Sequence, residues 1–238
     1  MKNKQIKWPK KISKLTAEQK RIKNDFYKFF YEFESLTKKY YFFNRFNRHF
    51  SVKNCRPGGR ILELGAGLGD QIPYENLKNS QYYALEIRPN MARVLKKRFP
   101  HVNVKVGDCQ KPFGYPDNFF DRVQAIHVLE HLPNLPATLN EVSRVLKPDG
   151  EFCVVMPCEG GIVYSIIRFF TNKQIFEKRY GLNYDVFIKS EHFNTAKEIV
   201  NTISTRFKTK KRQFFPFYFS SINLNLCVGM VLKPKKQT

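Results

Sequence analysis

Residues 61–69 read Ile61-Leu62-Glu63-Leu64-Gly65-Ala66-Gly67-Leu68-Gly69, a short apolar strand that runs directly into three alternating glycines. Glycine has no Cβ, so these positions allow a sharp turn and a close approach of the backbone to a ligand. The third glycine of a dinucleotide-binding fingerprint is missing, because Asp70 occupies its place. A helix-sized segment follows, and its first N–H groups are expected to face the same ligand.

Strand-like and helix-like segments alternate outward from this run. Further strands are predicted at 82–87, 102–106, 121–127 and 151–156, with helices at 89–99 and 137–146. Such alternation produces βαβ crossovers, and hence a doubly wound α/β domain with a parallel sheet. Two final β-rich runs, 213–219 and 223–231, are joined by Ser220-Ser221 and predict a hairpin. We therefore expect a seven-stranded sheet with an antiparallel last strand.

The segments outside this alternation are predicted to be helical. Thr16-Ala17-Glu18-Gln19 is a capping box that begins a helix to about residue 36, and a second helical piece runs to about residue 49. Thr195-Ala196-Lys197-Glu198 is another capping box. Residues 1–59 are assigned to a basic N-terminal helical extension and residues 60–238 to the main domain. Within that domain, residues 160–192 are predicted to form an insertion that covers the sheet.

Positive charge is confined to the flanks. The chain of 238 residues has 42 Lys and Arg against 20 Asp and Glu, a net charge of +22. Residues 1–60 carry +13 and residues 161–238 carry +10, whereas residues 61–160 are nearly neutral. Such flanks attract nucleic acid, an anionic membrane surface or a phosphorylated substrate, or simply keep the surface soluble.

Cysteine usage and hydropathy indicate the compartment. The five Cys form no C-x-x-C pair and their number is odd, which predicts a reduced protein without disulfides or structural zinc. The Lys-rich N-terminus lacks a signal peptide's apolar core, and no apolar run approaches about 18 residues. We expect a cytoplasmic protein, with peripheral contact to an anionic membrane left open by the basic flanks.

Three carboxylates lie at or near the ends of three successive predicted strands: Glu63, Glu86 and Asp108. Ligands of doubly wound sheets bind outside the carboxyl ends of the strands. Glu86 follows Gly69 by seventeen residues, close to the position where a carboxylate accepts hydrogen bonds from both ribose hydroxyls. The pattern predicts a site for a nucleoside-like ligand.

The ordered set of motifs resembles the class I S-adenosylmethionine-dependent methyltransferases, and looks most like their ubiquinone and menaquinone methylase branch. The resemblance covers about residues 60–157. Besides the glycine run, it includes Ala84-Leu85-Glu86-Ile87, Gly107-Asp108-Cys109, Val128-Leu129-Glu130-His131-Leu132, and the runs 112–113, 116–123 and 144–151. It implies a Rossmann-like fold, S-adenosyl-L-methionine as the methyl donor and S-adenosyl-L-homocysteine as the product.

The resemblance also implies which residues contact this cofactor. The glycine loop would approach its methionine part, an acidic lip around Glu63 would suit its cationic groups, Glu86 and Ile87 would hold the ribose side, and Asp108 and Cys109 would meet the adenine. Ala125 and His127 would line the cofactor near its sulfonium. The implied set is Glu63, Gly65, Ala66, Gly67, Gly69, Glu86, Ile87, Asp108, Cys109, Ala125 and His127. No metal is expected.

Two histidines are the candidate catalytic bases for a hydroxyl acceptor. His131 and His127 follow the fourth strand, where a neutral imidazole can accept a proton. A structural role for His131 is the alternative. The two also match an H-x-x-E-H zinc signature, which the break at Leu132-Pro133 disfavours. His192 and Glu159 lie on segments expected to form the acceptor pocket, or else are solvated loop residues.

The leading functional hypothesis is a methyltransferase acting on a small-molecule, sugar or lipid-linked acceptor, with oxygen favoured as the methylated atom. The N-terminal helices and residues 160–192 would cap the site and select the acceptor. One alternative is an RNA or DNA methyltransferase that uses the basic flanks. Another is a cofactor-binding protein without catalysis.

Overall fold

A computed structural model describes residues 6–12, 15–36, 41–218 and 221–235. The strands are β1 Gly59–Leu64, β2 Ser80–Glu86, β3 Asn103–Val106, β4 Phe120–Ile126, β5 Leu146–Pro157, β6 Phe207–Phe215 and β7 Cys227–Pro234. They form one sheet in the order β3-β2-β1-β4-β5-β7-β6. The first five strands are parallel, and β7 is antiparallel to both β5 and β6. The predicted doubly wound, seven-stranded sheet is confirmed.

Helices flank the sheet and supply the segments above its carboxyl edge. They are α1 Ala17–Leu36, α2 Tyr41–Asn54, α3 Pro89–Arg98, α4 Leu135–Val145, α5 Ile162–Arg168, α6 Gln174–Tyr180, α7 Tyr184–Glu191 and α8 Ala196–Ser204. A π-helical turn, Phe169–Lys173, joins α5 to α6. Both predicted capping boxes are formed, at Thr16 with Gln19 and at Thr195 with Glu198. No helix of the described residues is long and apolar enough to span a bilayer.

The core lies on both faces of the central strands. Leu62, Leu64 and Val154 belong to the largest buried apolar cluster, which α4 and α8 cover with Leu139 and Ile199. On the opposite face, α2 contributes Phe50 to a cluster with Val155 and Val231. Burial on both faces explains why these strands read as continuous apolar runs.

The segment after the glycine run differs from the expected helix. Residues 70–79 form two single 3₁₀ turns, Ile72–Tyr74 and Leu77–Asn79. Pro73 lacks an N–H and cannot sit inside a helix, and the Asn76 side chain caps the second turn by accepting from Lys78 N–H. The expectation of a helix directly after the glycine loop was therefore wrong.

The last two strands pair antiparallel as predicted, but their link is longer than a two-residue turn. The strands end at Phe215 and resume at Cys227, and the linking loop, residues 216–226, contains a 3₁₀ turn at Ile222–Leu224. Ser220 lies outside the described residues. Pro216 cannot donate to a strand ladder, and Asn225 closes the loop by accepting from Phe217 N–H and donating to Ser221 O.

Candidate functional site

The carboxyl ends of the parallel strands bring most of the predicted site residues to one edge of the sheet. Gly65 follows β1, Ile87 follows β2, Gly107 follows β3 and His127 follows β4. Register pairs Leu64 with both Leu85 and Ala125, so the first, second and fourth strands end level with one another. This edge is where ligands bind in doubly wound folds.

The glycine loop offers open space at its centre. Gly65 and Gly67 have φ values of +63° and +57°, a region that residues with a Cβ rarely adopt. A Cβ on Gly65 would lie 2.7 Å from Val128, whereas no atom lies within 4 Å of the corresponding point on Gly67. The loop is anchored by the Gly65 N–H, which donates to Leu85 O at 2.8 Å. A ligand can therefore approach the backbone at Gly67.

Glu86 is held against this loop by three hydrogen bonds. Its Oε2 accepts from Gly67 N–H at 2.8 Å, and its Oε1 accepts from the N–H and Nε–H of Arg88 at 3.0 and 2.8 Å. Glu86 is buried, whereas the Arg88 side chain is half exposed. Because Arg88 can swing into solvent, Oε1 can exchange this partner for ligand hydroxyls.

The ends of β2 and β3 present both apolar and polar groups. Ile87 and Val106 are exposed although both are large and apolar, which suits contact with a flat ring. The Asp108 carboxylate accepts from the N–H and Nε2–H of Gln110 at 2.9 and 3.2 Å. Burial raises the pKa of the Cys109 thiol to about 12, so this thiol stays protonated and unreactive.

Glu63 and Ala125 are two further predicted contact residues with buried side chains. Glu63 accepts from Tyr82 OH at 2.8 Å, and Gln124 Nε2 donates to the same hydroxyl at 2.6 Å. Burial raises the pKa of Glu63 to about 8, so its carboxyl is mainly neutral at pH 7. Ala125 is also buried, within β4. The contacts of these two residues with a ligand stay predictions.

A buried carboxylate lies among the histidines that follow β4. Glu130 is 1% exposed, and its Oε1 is 3.5 Å from His127 Nδ1 and 4.0 Å from His131 Nε2. Burial opposes ionisation of Glu130, but its contact with His127 and the charges of the nearby histidines lower its pKa to about 2. Glu130 Oε2 has no hydrogen-bond partner among the described residues. The carboxylate is therefore a fixed negative charge beside two imidazoles.

His131 is oriented by a backbone carbonyl. Its Nδ1 lies 2.9 Å from Glu191 O, and because a carbonyl only accepts, Nδ1 is the protonated nitrogen. The lone pair of the neutral ring is then on Nε2, which faces Glu130. Burial lowers the pKa of His131, although Glu130 opposes this effect. At pH 7 the ring is mainly neutral and can accept a proton.

The segment after α7 brings His192 onto His131. The two rings are perpendicular with centroids 4.6 Å apart. His192 Nδ1 contacts Glu159, whose other oxygen accepts from Arg168 Nη1 at 2.7 Å. Burial lowers the pKa of His192, but the contact with Glu159 outweighs it and the pKa is raised. Asn194 holds the segment in place, because its side-chain amide donates to Leu129 O and to Leu132 O.

A cavity of about 190 Å³ adjoins His192, whose ring contacts that of His131. It lies between α1 and the helices of residues 162–191, and aromatic side chains form much of its wall. Phe26 of α1 contacts the rings of Phe176 and Tyr184 edge-on, with centroids 5.0 and 6.0 Å apart. Polar groups enter the wall from Lys23, Tyr164, Asn172, Glu191 and His192. The cavity suits a small, partly aromatic or apolar molecule with a polar group near His192.

The sequence singled out His131, His192 and Glu159 separately, but it did not predict that they contact one another, and it missed their partners. Arg168 and Tyr164 were assigned no role, although Tyr164, Arg168 and Asn172 recur every four residues and so share one face of a helical segment. Glu130 was noted only as a member of a family motif and of a zinc signature, without a role of its own. Among the described residues no group of three His, Cys, Asp or Glu side chains could hold a metal ion.

Comparisons with known proteins agree with this geometry. Residues 62–154 match the family model described as a methyltransferase domain. A sterol 4-C-methyltransferase of Caenorhabditis elegans is 30% identical over 113 residues, which are 45% of this chain and 31% of that protein. A ubiquinone/menaquinone biosynthesis C-methyltransferase of Desulfotalea psychrophila is 32% identical over 135 residues, 53% of this chain and 54% of that protein. The chain covers less than two thirds of either relative.

Solved structures share the fold. The PH0226 protein of Pyrococcus horikoshii superimposes with a TM-score of 0.63 at 17% identity, over 86% of this chain and 99% of that one. A geranyl diphosphate C-methyltransferase of Streptomyces coelicolor, crystallised with Mg²⁺, geranyl diphosphate and S-adenosyl-L-homocysteine, gives a TM-score of 0.61 at 12% identity, over 81% of each chain. At these identities the likeness extends to the fold alone.

Proposed function

We propose that this chain transfers a methyl group from S-adenosylmethionine to a small-molecule acceptor. The match of residues 62–154 to a methyltransferase domain and the similarity to a ubiquinone/menaquinone C-methyltransferase support the proposal. The observation that carries the proposal is the joined pair of Gly67 and Glu86, with open space above the glycine and a buried carboxylate beside it. The acceptor atom that we favour is oxygen.

The residues of the cleft fit this cofactor chemically. S-adenosylmethionine carries no phosphate, and its sulfonium and ammonium are cationic, so a carboxylate-rich edge suits it better than it suits a dinucleotide. We assign its methionine part to the backbone of 65–69, with Glu63 beneath, and its ribose to Glu86. Ile87 and Asp108 with Cys109 would border the adenine, and His127 with Ala125 would lie nearest the sulfonium.

The bound cofactor supplies an already activated methyl group, so the protein's task is to align and deprotonate the acceptor. We assign deprotonation to His131. Its neutral Nε2 can take the acceptor proton, and the resulting imidazolium is stabilised by the Glu130 carboxylate 4.0 Å away. The Glu191 carbonyl keeps the required tautomer by accepting from Nδ1–H. His127 has a buried Nε2 without a partner among the described residues and is the second candidate.

The acceptor is proposed to occupy the cavity of about 190 Å³. Tyr164 and His192 bring polar groups to its wall, while Phe176, Tyr184 and Phe187 provide apolar contact. Helix α1 and residues 160–192 would form a cap, because Phe26 of α1 belongs to the same buried aromatic cluster as residues of α6 and α7. A cap that excludes water also strengthens the electrostatic contacts inside it.

The test is methyl transfer from labelled S-adenosylmethionine to a panel of phenols, sugars, quinone precursors and lipid-linked alcohols, read by mass spectrometry. A product heavier by one methylene at oxygen, formed by the wild type and lost in His131→Gln, is the expected result. Methylation at carbon would overturn the assignment to oxygen but leave the methyltransferase proposal intact. Absence of cofactor binding by the folded protein would overturn both.

A further inference from the structure

Helix α5 and the π-helical turn after it have their apolar side facing solvent. Tyr164, Arg168 and Asn172 lie on the inner side, where the first and last line the acceptor cavity and Arg168 holds Glu159. The outer side carries four large apolar residues: Ile162, Ile166, Phe169 and Phe170. A surface helix of a globular protein normally places its apolar side inward, so this reversal calls for an apolar environment outside the protein.

The loop 216–226 extends the same surface. Helix α5 packs against the turn Ile222–Leu224, and Gly161 lies so close to Ile222 O that a Cβ would approach it to 2.3 Å. This loop exposes Phe217, Tyr218 and Leu224. We call the seven residues of α5, the π-helical turn and the loop the apolar face. Each is between 47% and 82% exposed.

Unpaired cations lie beside the apolar face. A second cavity, of about 520 Å³, is lined by Lys197, Arg212, Ile222 and Asn223. Within the described part of the chain, neither Lys197 nor Arg212 forms an ion pair. Glu159 also lines this cavity, but Arg168 and His192 already hold its carboxylate. The local charge is therefore positive, as is the whole flank of residues 161–238.

We propose that the apolar face docks on an anionic lipid bilayer, with Lys197 and Arg212 contacting lipid phosphates. Apolar side chains rimmed by Lys and Arg are the chemistry by which peripheral helices lie in the headgroup region. Docking would bring lipid-linked acceptors to the inner side of α5, where the acceptor cavity lies. The docking surface is independent of the proposed function, and only this link to the acceptor rests on it.

The test is co-sedimentation of the full chain with vesicles of phosphatidylcholine alone or mixed with phosphatidylglycerol, at physiological salt. Ile166→Ser with Phe170→Ser removes two apolar contacts, and should weaken binding to the anionic vesicles by about tenfold or more. The matched control is Ile12→Ser with Val94→Ser, two similarly exposed apolar residues elsewhere, which should bind like the wild type. Cofactor titration and thermal unfolding confirm that each variant is folded.

Charge is tested by a second pair of variants. The double variant Lys197→Gln with Arg212→Gln should weaken binding to anionic vesicles. The control, Arg93→Gln with Lys97→Gln on α3, removes the same amount of charge and should change vesicle binding little. Equal losses in the two pairs would mean generic attraction to a basic protein and would overturn the proposal.

A reporter keeps the proposal testable if the serine variant fails to fold. In a Trp8→Phe background, Phe170→Trp should shift its emission to the blue on anionic vesicles. No shift would overturn docking through the apolar face. A dimer in sedimentation velocity that Phe170→Ser dissociates, with no vesicle binding, would assign the face to a second copy of the chain instead.

Discussion

Replacing Glu63 by glutamine should stabilise the protein at neutral pH. The pKa of Glu63 rises from 4.5 to about 8 in the fold because the carboxyl is buried beside Tyr82. Because the pKa is raised in the folded state, the contribution of this carboxyl to the free energy of unfolding is fully present below pH 4.5 and is lost as the pH rises toward 8. At pH 7 the fold must keep protonated a group that ionises in the unfolded chain, which costs about 3 kcal/mol.

The glutamine side chain is close in shape to the protonated acid and would avoid this cost. Urea unfolding should therefore show a midpoint about 1 M higher for Glu63→Gln at pH 7, and a gain of less than about 1 kcal/mol at pH 5. Glu75→Gln is the control, because Glu75 forms a buried ion pair with Arg122 and its neutralisation should destabilise. A lower midpoint for Glu63→Gln at pH 7, or an equal gain at both pH values, would refute the reasoning.

Three further predictions concern the site. His131→Gln should lower kcat by about 100-fold or more while leaving the Kd for S-adenosylmethionine unchanged, and a loss of both would make His131 structural. Glu130→Gln should move the acid limb of the pH–rate profile to lower pH, because the Glu130 carboxylate raises the pKa of His131. An unmoved limb would exclude His131 as the titrating base. Arg88→Ala should tighten cofactor binding a few-fold in calorimetry, since it removes the side-chain donor to Glu86 Oε1 and a nearby positive charge while the backbone N–H of residue 88 still donates, and weaker binding would contradict this.

The sequence predicted the sheet because its strands are short apolar runs separated by helices with clear start signals. The capping residues Thr16 and Thr195 predicted where α1 and α8 begin. The ends of the successive strands were sufficient to predict which edge of the sheet holds the site. The helix after the glycine run failed because Pro73 and the Asn76 cap broke ten residues into two turns. The length of this segment predicted a helix, but Pro73 and Asn76 determined its structure.

Parts of the site depended on contacts between residues distant in the chain. His131 and His192 meet because Asn194 ties residues 192–194 to the turn after β4, about sixty residues earlier in the chain. Nor does the pattern of residues 162–170 reveal which side of α5 faces solvent, because apolar residues occur all along it. The burial of Glu63 likewise arises from Tyr82 on the neighbouring strand. The hydrophobic periodicity of a sequence does not predict such contacts.

Calorimetric titration with S-adenosylmethionine and S-adenosylhomocysteine, with NAD as the control, shows whether this chain binds the methyl donor through Glu86. We expect micromolar binding of both compounds by the wild type and none of NAD. We also expect affinity to fall at least about tenfold in Glu86→Gln, whose amide cannot replace the carboxylate as an acceptor on both oxygens. Failure of the folded wild type to bind either compound, or an unchanged Kd in folded Glu86→Gln, would contradict this binding mode.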